Sequence, residues 1–256
     1  MAPSHPRAQR PSRAAAAQPQ GRGAGEKARS HGLSAASPLD CLAAEFWAEA
    51  RPGSSLPSPE LPEIAFAGKS NVGKSTLLNQ LTQRRSLARV SKTPGCTRGV
   101  VLFTTTLRND KRFVIADLPG YGFAERSKDE RVAWQTLIEA YIARRASLRL
   151  VVVLIDGRRG ASDEERQLIH WLDFINRPFV IVMTKIDKLS ATERGRAEAA
   201  LRRDFRRPVY PVSGLVGSGR EALLEALLRA LDGTDDTAQN DPAETPPREP
   251  GTAAQP

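Results

Sequence analysis

Two cysteines, three histidines and a 5% share of aromatic residues in a chain of 256 residues narrow the field at once. Cys41 and Cys96 are too few and too far apart for a disulfide framework or a structural zinc site, and they fit a reducing compartment. The longest apolar run, residues 150–155, is far short of the roughly 20 residues a membrane-spanning helix needs. So few rings argue against stacking platforms for single-stranded nucleic acid. Residues 1–39 lack the apolar stretch of a secretory signal.

Large apolar residues are scarce at both ends. Residues 1–39 are rich in Ala, Pro, Gly, Ser and Arg, and residues 232–256 in Asp, Thr, Pro, Ala and Gln. Neither composition buries enough apolar surface to offset chain entropy, so a disordered basic tail and a disordered acidic tail are expected. The first is also nearly free of acids, which matches an organelle transit peptide, a minor alternative to a plain cytoplasmic tail. Residues 40–231 remain, enough for one hydrophobic core. The first tail carries six Lys/Arg against Glu26, and the second six Asp/Glu against Arg248. They cancel, so the formal net charge of +9 belongs to residues 40–231. A basic core favours a polyanionic partner, nucleic acid or an anionic membrane. A merely solvated Arg-rich surface has the same count.

The pattern along the core alternates. Residues 42–50 have helical spacing, 63–67 read as a buried strand and 74–81 as a helix. Residues 100–107 and 112–116 form a hairpin turning at Asn109 and Asp110. Then come a helix (129–145), a strand (150–155), a helix (162–174), a strand (179–183), a helix (192–205), a short strand (209–212) and a last helix (220–231). This order predicts an α/β fold with a six-stranded, mostly parallel sheet, one antiparallel edge strand and helices on both faces. Ligands in such sheets bind outside the carboxyl ends of the strands. The loops after residues 67, 116, 183 and 212 share that edge.

The first of these loops reads Gly68-Lys69-Ser70-Asn71-Val72-Gly73-Lys74-Ser75. It matches the phosphate-binding pattern G-x-x-x-x-G-K-[ST] and sits between a strand and a helix, as that pattern requires. Glycines let backbone N–H groups close around phosphates, and the helix N-terminus adds its positive dipole end. Lys74 would reach the β- and γ-phosphates, and the Ser75 hydroxyl would bind Mg²⁺.

The base is chosen elsewhere. Thr184-Lys185-Ile186-Asp187 follows a strand, and a carboxylate at Asp187 accepts both guanine N1–H and the 2-amino group. Adenine has no such donor pair. Lys185 can lie over the base plane, and Thr184 keeps a hydroxyl for local bonds. In Asp117-Leu118-Pro119-Gly120-Tyr121-Gly122, Asp117 can hold Mg²⁺ through water and the Gly120 N–H can contact a γ-phosphate. Upstream, Thr97 offers a second hydroxyl to Mg²⁺, with Thr93 the rival farther from the following strand. Val212-Ser213-Gly214 leaves the last strand on the same edge.

Together, "EIAFAGKSNVGKSTLLNQL", "SLARVSKTPGCTRG", "DLPGYGFA" and "TKIDKL" resemble the translation-factor-like GTPases, and among them the EngB (YihA/YsxC) GTP-binding proteins. The resemblance spans about residues 40–231. It implies nucleotide contacts along Gly95, Cys96, Thr97, Arg98 and Gly99 as well as the residues above. It also implies a role for Lys74, Thr97 and Gly120 in GTP hydrolysis. The family commonly carries Arg or Lys before the switch threonine and Gln after it, where this chain has Cys96 and Arg98. It is associated with large ribosomal subunit assembly and with normal division and septation, so a cytoplasmic monomer acting on that subunit and its rRNA is implied.

Hydrolysis needs a positioned water and neutralised charge. Tyr121 stands where many GTPases place a water-orienting Gln, and a packing role suits it better. Asn71 in the phosphate loop occurs in GTPases that bind K⁺ beside the phosphates; a side chain capping its own loop is the alternative. The expected enzyme is a slow GTPase accelerated by K⁺, by the ribosome, or by both. Arg84, Arg85, Arg89, Lys92, Arg98, Arg126, Lys128, Arg144, Arg145, Arg202, Arg203, Arg206 and Arg207 are candidates for an rRNA footprint through phosphate and shape contacts.

Overall fold

The computed structural model describes residues 37–84, 87, 88, 99–121 and 128–233. Residues 1–36 and 234–256 of the two tails lie outside that description. So do Thr93, Gly95, Cys96, Thr97, Arg98 and Gly122, and the basic residues Arg85, Arg89, Lys92 and Arg126. Of Lys128 and Trp134 only the backbone is described.

Strand β2 (Glu63–Gly68) shows why the sheet is central. Every residue in it is buried, and its side chains alternate between two cores. Ala65 and Ala67 join one, with Tyr141, Ile142, Ile169, Leu172 and Leu201. Ile64 and Phe66 join the other, with Leu77, Leu78, Leu81, Leu223 and Leu227. The period of two along a strand makes this division. The first core lies under α2 (Lys128–Arg144), α3 (Asp163–Phe174) and α4 (Ala191–Phe205); the second under α1 (Lys74–Leu81) and α5 (Arg220–Asp232). Each fully buried Ile, Leu or Phe stabilises the fold by about 1.5–3 kcal/mol.

The remaining strands are β1 (Cys41–Ala50), β3 (Val100–Leu107), β4 (Arg112–Asp117), β5 (Leu148–Asp156), β6 (Phe179–Thr184) and β7 (Val209–Pro211). Their order is β1-β3-β4-β2-β5-β6-β7. β4, β2, β5, β6 and β7 pair in parallel, and β3 pairs antiparallel with both β4 and β1. The fold is the expected one, with seven strands rather than six.

The seventh strand is the segment that reads as a helix. Residues 41–50 are Ala-rich, which favours a helix locally. Pairing along β3 overrides this, and Trp47, Ala48 and Ala50 add to the first core. Without β1, the ladder groups of β3 on that side would have no partner strand.

A buried ion pair lies at the end of β2 away from Gly68. Glu63 is fully buried, and Arg145 donates to it from Nη2 at 2.6 Å and from Nε at 3.0 and 3.1 Å. The Tyr141 hydroxyl donates to the same carboxylate at 2.6 Å. Arg145 therefore anchors the end of α2 and is not part of a solvent-facing footprint.

Candidate nucleotide-binding site

The carboxyl ends of β2, β4, β5 and β6 place their loops side by side, as parallel pairing requires. Between β2 and α1 the chain turns through residues 69–73. Gly73 holds φ 108°, a conformation that costs a side chain dearly and glycine little. Lys74, at the start of α1, is buried and forms an ion pair with Asp117 at the end of β4, also buried. The lysine thus lies under the loop, next to the carboxylate expected beside Mg²⁺. Ser75 and Asp117 offer hydroxyl and carboxylate oxygens, the hard donors that suit this ion. Thr97, the other expected ligand, lies outside the described residues.

Gly120 approaches the phosphate loop closely. A Cβ there would lie 2.9 Å from Ser70 Oγ and 3.2 Å from Ser70 Cα. The Ser70 N–H donates to the Tyr121 carbonyl at 3.1 Å, and Lys69 and Tyr121 form a parallel bridge. The loop carrying Leu118 and Pro119 is therefore stitched to the phosphate loop. Tyr121 packs against the first core. Burial, and then the nearby Glu165 and Glu164 carboxylates, push its phenol well above the ordinary tyrosine range, so it stays protonated.

On the other side, Thr184 Oγ1 lies 2.7 Å from the Val72 carbonyl and 3.2 Å from that of Ile155. This hydroxyl ties β6 to the phosphate loop through the local bonds expected of it. Lys185 adopts φ 59° and donates from Nζ to the Asn71 carbonyl at 2.5 Å and to Asp156 at 3.0 Å. Ile186 is buried and opens the short 3₁₀ turn Ile186–Lys188 that carries Asp187. Asp187 accepts from Ser213 Oγ at 2.7 Å. That bond lowers the Asp187 pKa, so the carboxylate stays ionised. Gly73, Thr184, Lys185, Asp187, Gly214 and Leu215 help to line a cleft of about 240 Å³. Val212 is buried beneath it, and the Val212 N–H donates to the Met183 carbonyl at 2.8 Å. A Cβ on Gly214 would lie 3.0 Å from Thr76 Cγ2, so the Ser213 loop sits directly on α1.

Comparison with known proteins decides what this site belongs to. Residues 63–185 match the family model of the 50S ribosome-binding GTPases. The chain is 45% identical over 174 residues to the probable GTP-binding protein EngB of Prosthecochloris aestuarii, covering 67% of this chain and 88% of that protein. It is 41% identical over 195 residues to the probable EngB of Pelobacter propionicus, covering 75% and 95%. The chain belongs to the EngB family of GTP-binding proteins.

Solved structures agree. A probable EngB crystal structure matches with a TM-score of 0.54 at 26% identity, covering 67% of this chain and 99% of that one. Era, solved with MgGDPNP and nucleotides 1506–1542 of 16S ribosomal RNA, matches with a TM-score of 0.57 at 25% identity, covering 66% of this chain and 56% of that one. As an EngB family member the protein binds GTP and GDP and hydrolyses GTP, chemistry that such GTPases usually run with Mg²⁺.

One residue of the site is not apparent from the family patterns. Asp156, at the end of β5, accepts from both Arg158 and Lys185. Its signal is an Asp closing a buried apolar strand on the edge already shared by Asp117 and Thr184. The expected rRNA candidates divide. Arg202 pairs with Glu198, Arg203 with Asp204, and Arg207 lies over the Phe179 ring and donates to Asp173. Arg84 donates to the Leu42 carbonyl at 2.8 Å, and Arg144 is exposed.

Proposed function

We propose that this protein is a GTP-dependent switch in assembly of the large ribosomal subunit, with a consequent link to normal cell division and septation. The observation that carries this reading is the match to a 50S ribosome-binding GTPase family, in a chain whose phosphate loop, Asp117 and Thr184–Asp187 segment lie along one edge of the sheet. The Era neighbour, seen with ribosomal RNA, lends support from a related fold. The basic residues 40–231 suit an RNA partner. Among the described residues no helix is long and apolar enough to cross a membrane. A cytoplasmic monomer, with residues 40–231 as its GTP-binding domain, fits these features.

In this reading the loop Gly68, Lys69, Ser70, Asn71, Val72 and Gly73 wraps the phosphates, and Lys74 neutralises the β- and γ-oxygens. Ser75 and Thr97 would hold Mg²⁺, which when bound would supply positive charge to the transferring phosphoryl group. Gly95, Cys96, Thr97, Arg98 and Gly99, with Leu118, Pro119 and Gly120, border the γ-phosphate. Thr184, Lys185, Ile186 and Asp187, with Val212, Ser213 and Gly214, hold guanine. Because Tyr121 is no water-orienting amide, intrinsic hydrolysis is slow. K⁺ beside Asn71, the ribosome, or both accelerate it. The Asn71 side chain is exposed and makes no hydrogen bond among the described residues, so its amide oxygen is open to an ion, while its φ of 63° is one that Asn tolerates well.

The test is sedimentation of the full chain with ribosomal particles, with GDP, with a non-hydrolysable GTP analogue and with no nucleotide. Association with large subunits in the analogue sample alone is the expected result. No association in any state at moderate salt would remove the ribosomal role and favour a partner at the division site.

A further inference from the structure

The Asp156 carboxylate joins three loops. Its Oδ1 accepts from the Arg158 main-chain N–H at 3.1 Å and from Arg158 Nε at 2.9 Å. Its Oδ2 accepts from Arg158 Nη2 at 2.7 Å and from Lys185 Nζ at 3.0 Å. Lys185 continues to the Asn71 carbonyl at 2.5 Å. Arg158, Asp156, Lys185 and the phosphate loop thus form one unbroken chain.

Each link has a physical role. Lys185 sits at φ 59°, a strained conformation for a residue with a side chain, and it persists only where its surroundings hold it. Here the ammonium is held on both sides. A carboxylate bonded only to a lysine can swing about its own axis. The planar guanidinium fork of Arg158 removes that freedom and presents Oδ2 to Lys185 in one orientation. Arg158 also borders two clefts: the one lined by Asp187 and Gly214, and another of about 350 Å³ lined by Lys69, Ser70, Asn71 and Glu165. It is therefore placed between the base cleft and the flank of the phosphate loop.

We propose that Arg158 is a positioning residue for the bound nucleotide: by forking onto Asp156 it holds Lys185 against the base cleft and lengthens the nucleotide's stay. The proposal rests on the guanine-nucleotide reading of the same site. It assigns Arg158 no part in the chemical step.

The test uses the full chain with Mg²⁺ as wild type, Arg158→Gln, Arg158→Lys, Asp156→Asn and the double variant Arg158→Gln/Asp156→Asn. Release of a fluorescent GDP and steady-state GTP hydrolysis are measured for each. Both Arg158 variants are expected to release GDP about tenfold faster and to raise KM for GTP comparably, with kcat within about twofold of wild type. Lysine fails because a point charge cannot reproduce the fork. The double variant is expected to be no faster than Asp156→Asn, since both changes act along one chain. Wild-type release from Arg158→Gln, restoration by lysine, or independent multiplying effects would each overturn the proposal. So would a fall in kcat that tracks a lowered urea midpoint, which would make Arg158 a folding residue. A wild-type chain that binds no GDP would instead sink the guanine-nucleotide reading itself.

Discussion

The Ser213 hydroxyl donates to Asp187 Oδ1 at 2.7 Å, joining the loop after β7 to the carboxylate proposed to read guanine. Ser213 also accepts from the Leu215 and Val216 main-chain N–H groups at 3.3 Å, so its hydroxyl is fixed by its own loop. Hydrogen bonds to charged groups are worth about 1.5–3 kcal/mol. Because the Ser213–Asp187 bond exists before nucleotide binds, its loss acts on affinity only through the orientation of Asp187, and Ser213→Ala should weaken GDP binding by about a few-fold in titration calorimetry. Asp187→Asn should move preference from GTP towards xanthosine triphosphate, because the amide offers a donor where guanine needs an acceptor. Unchanged preference in a competition assay would remove Asp187 from base recognition.

Asn71 leads to a salt prediction. GTP turnover should be higher in KCl than in NaCl at equal ionic strength. Asn71→Ala should erase most of the difference while leaving GDP affinity within a few-fold. Equal turnover in both salts, with and without ribosomal particles, would leave Asn71 without a role in ion binding.

Glu63 and Arg145 bear on stability rather than nucleotide chemistry. Removing one partner of a buried ion pair leaves the other charge stranded, at a cost of about 3–5 kcal/mol. Glu63→Gln and Arg145→Ala should each lower the urea unfolding midpoint accordingly. The double variant should lose less than the sum of the two. Surviving protein should bind GDP normally, since Glu63 lies at the opposite end of β2 from Gly68. A selective loss of ribosome association by Arg145→Ala, with stability intact, would return that residue to the RNA footprint.

Asp156 predicts how the site responds to acid. Burial alone would raise its pKa, but hydrogen bonds from Arg158 and Lys185 outweigh burial and hold it at about 2. An unfolded aspartate titrates near about 3.9. Because the folded value is the lower, the stabilising contribution is complete above about pH 4 and fades as pH falls towards 2. The difference in urea midpoint between wild type and Asp156→Asn should be flat from about pH 5 to 8 and close below about pH 4. A difference already shrinking at neutral pH would mean that another group controls it.

Much of this site is legible in the chain because its chemistry is local. A phosphate loop needs its glycines and lysine within one turn, and Gly68, Gly73 and Lys74 stand there in order. Asp187, the carboxylate proposed to read the base, likewise comes shortly after a buried strand. Long-range pairing leaves a weaker trace in the chain. Residues 41–50 favour a helix by themselves and become β1 only because β3 offers a partner. Arg145 looks like any helix-surface arginine until Glu63, far away in sequence, is packed beside it. The Arg158 fork is a two-residue contact, but its importance depends on Lys185 arriving from β6.

β1 is the terminal strand of the sheet among the described residues, and its register with β3 shifts twice, between Cys41 and Ala43 and between Phe46 and Ala48. A straight, ten-residue outer strand bearing exposed Leu42 and Phe46 would be a template for stacking chains into fibrils. The two shifts divide it into shorter runs, 43–46 and 48–50, below the six or seven residues of a typical zipper segment. The irregularity of this edge thus favours solubility at concentrations where a smooth strand would aggregate.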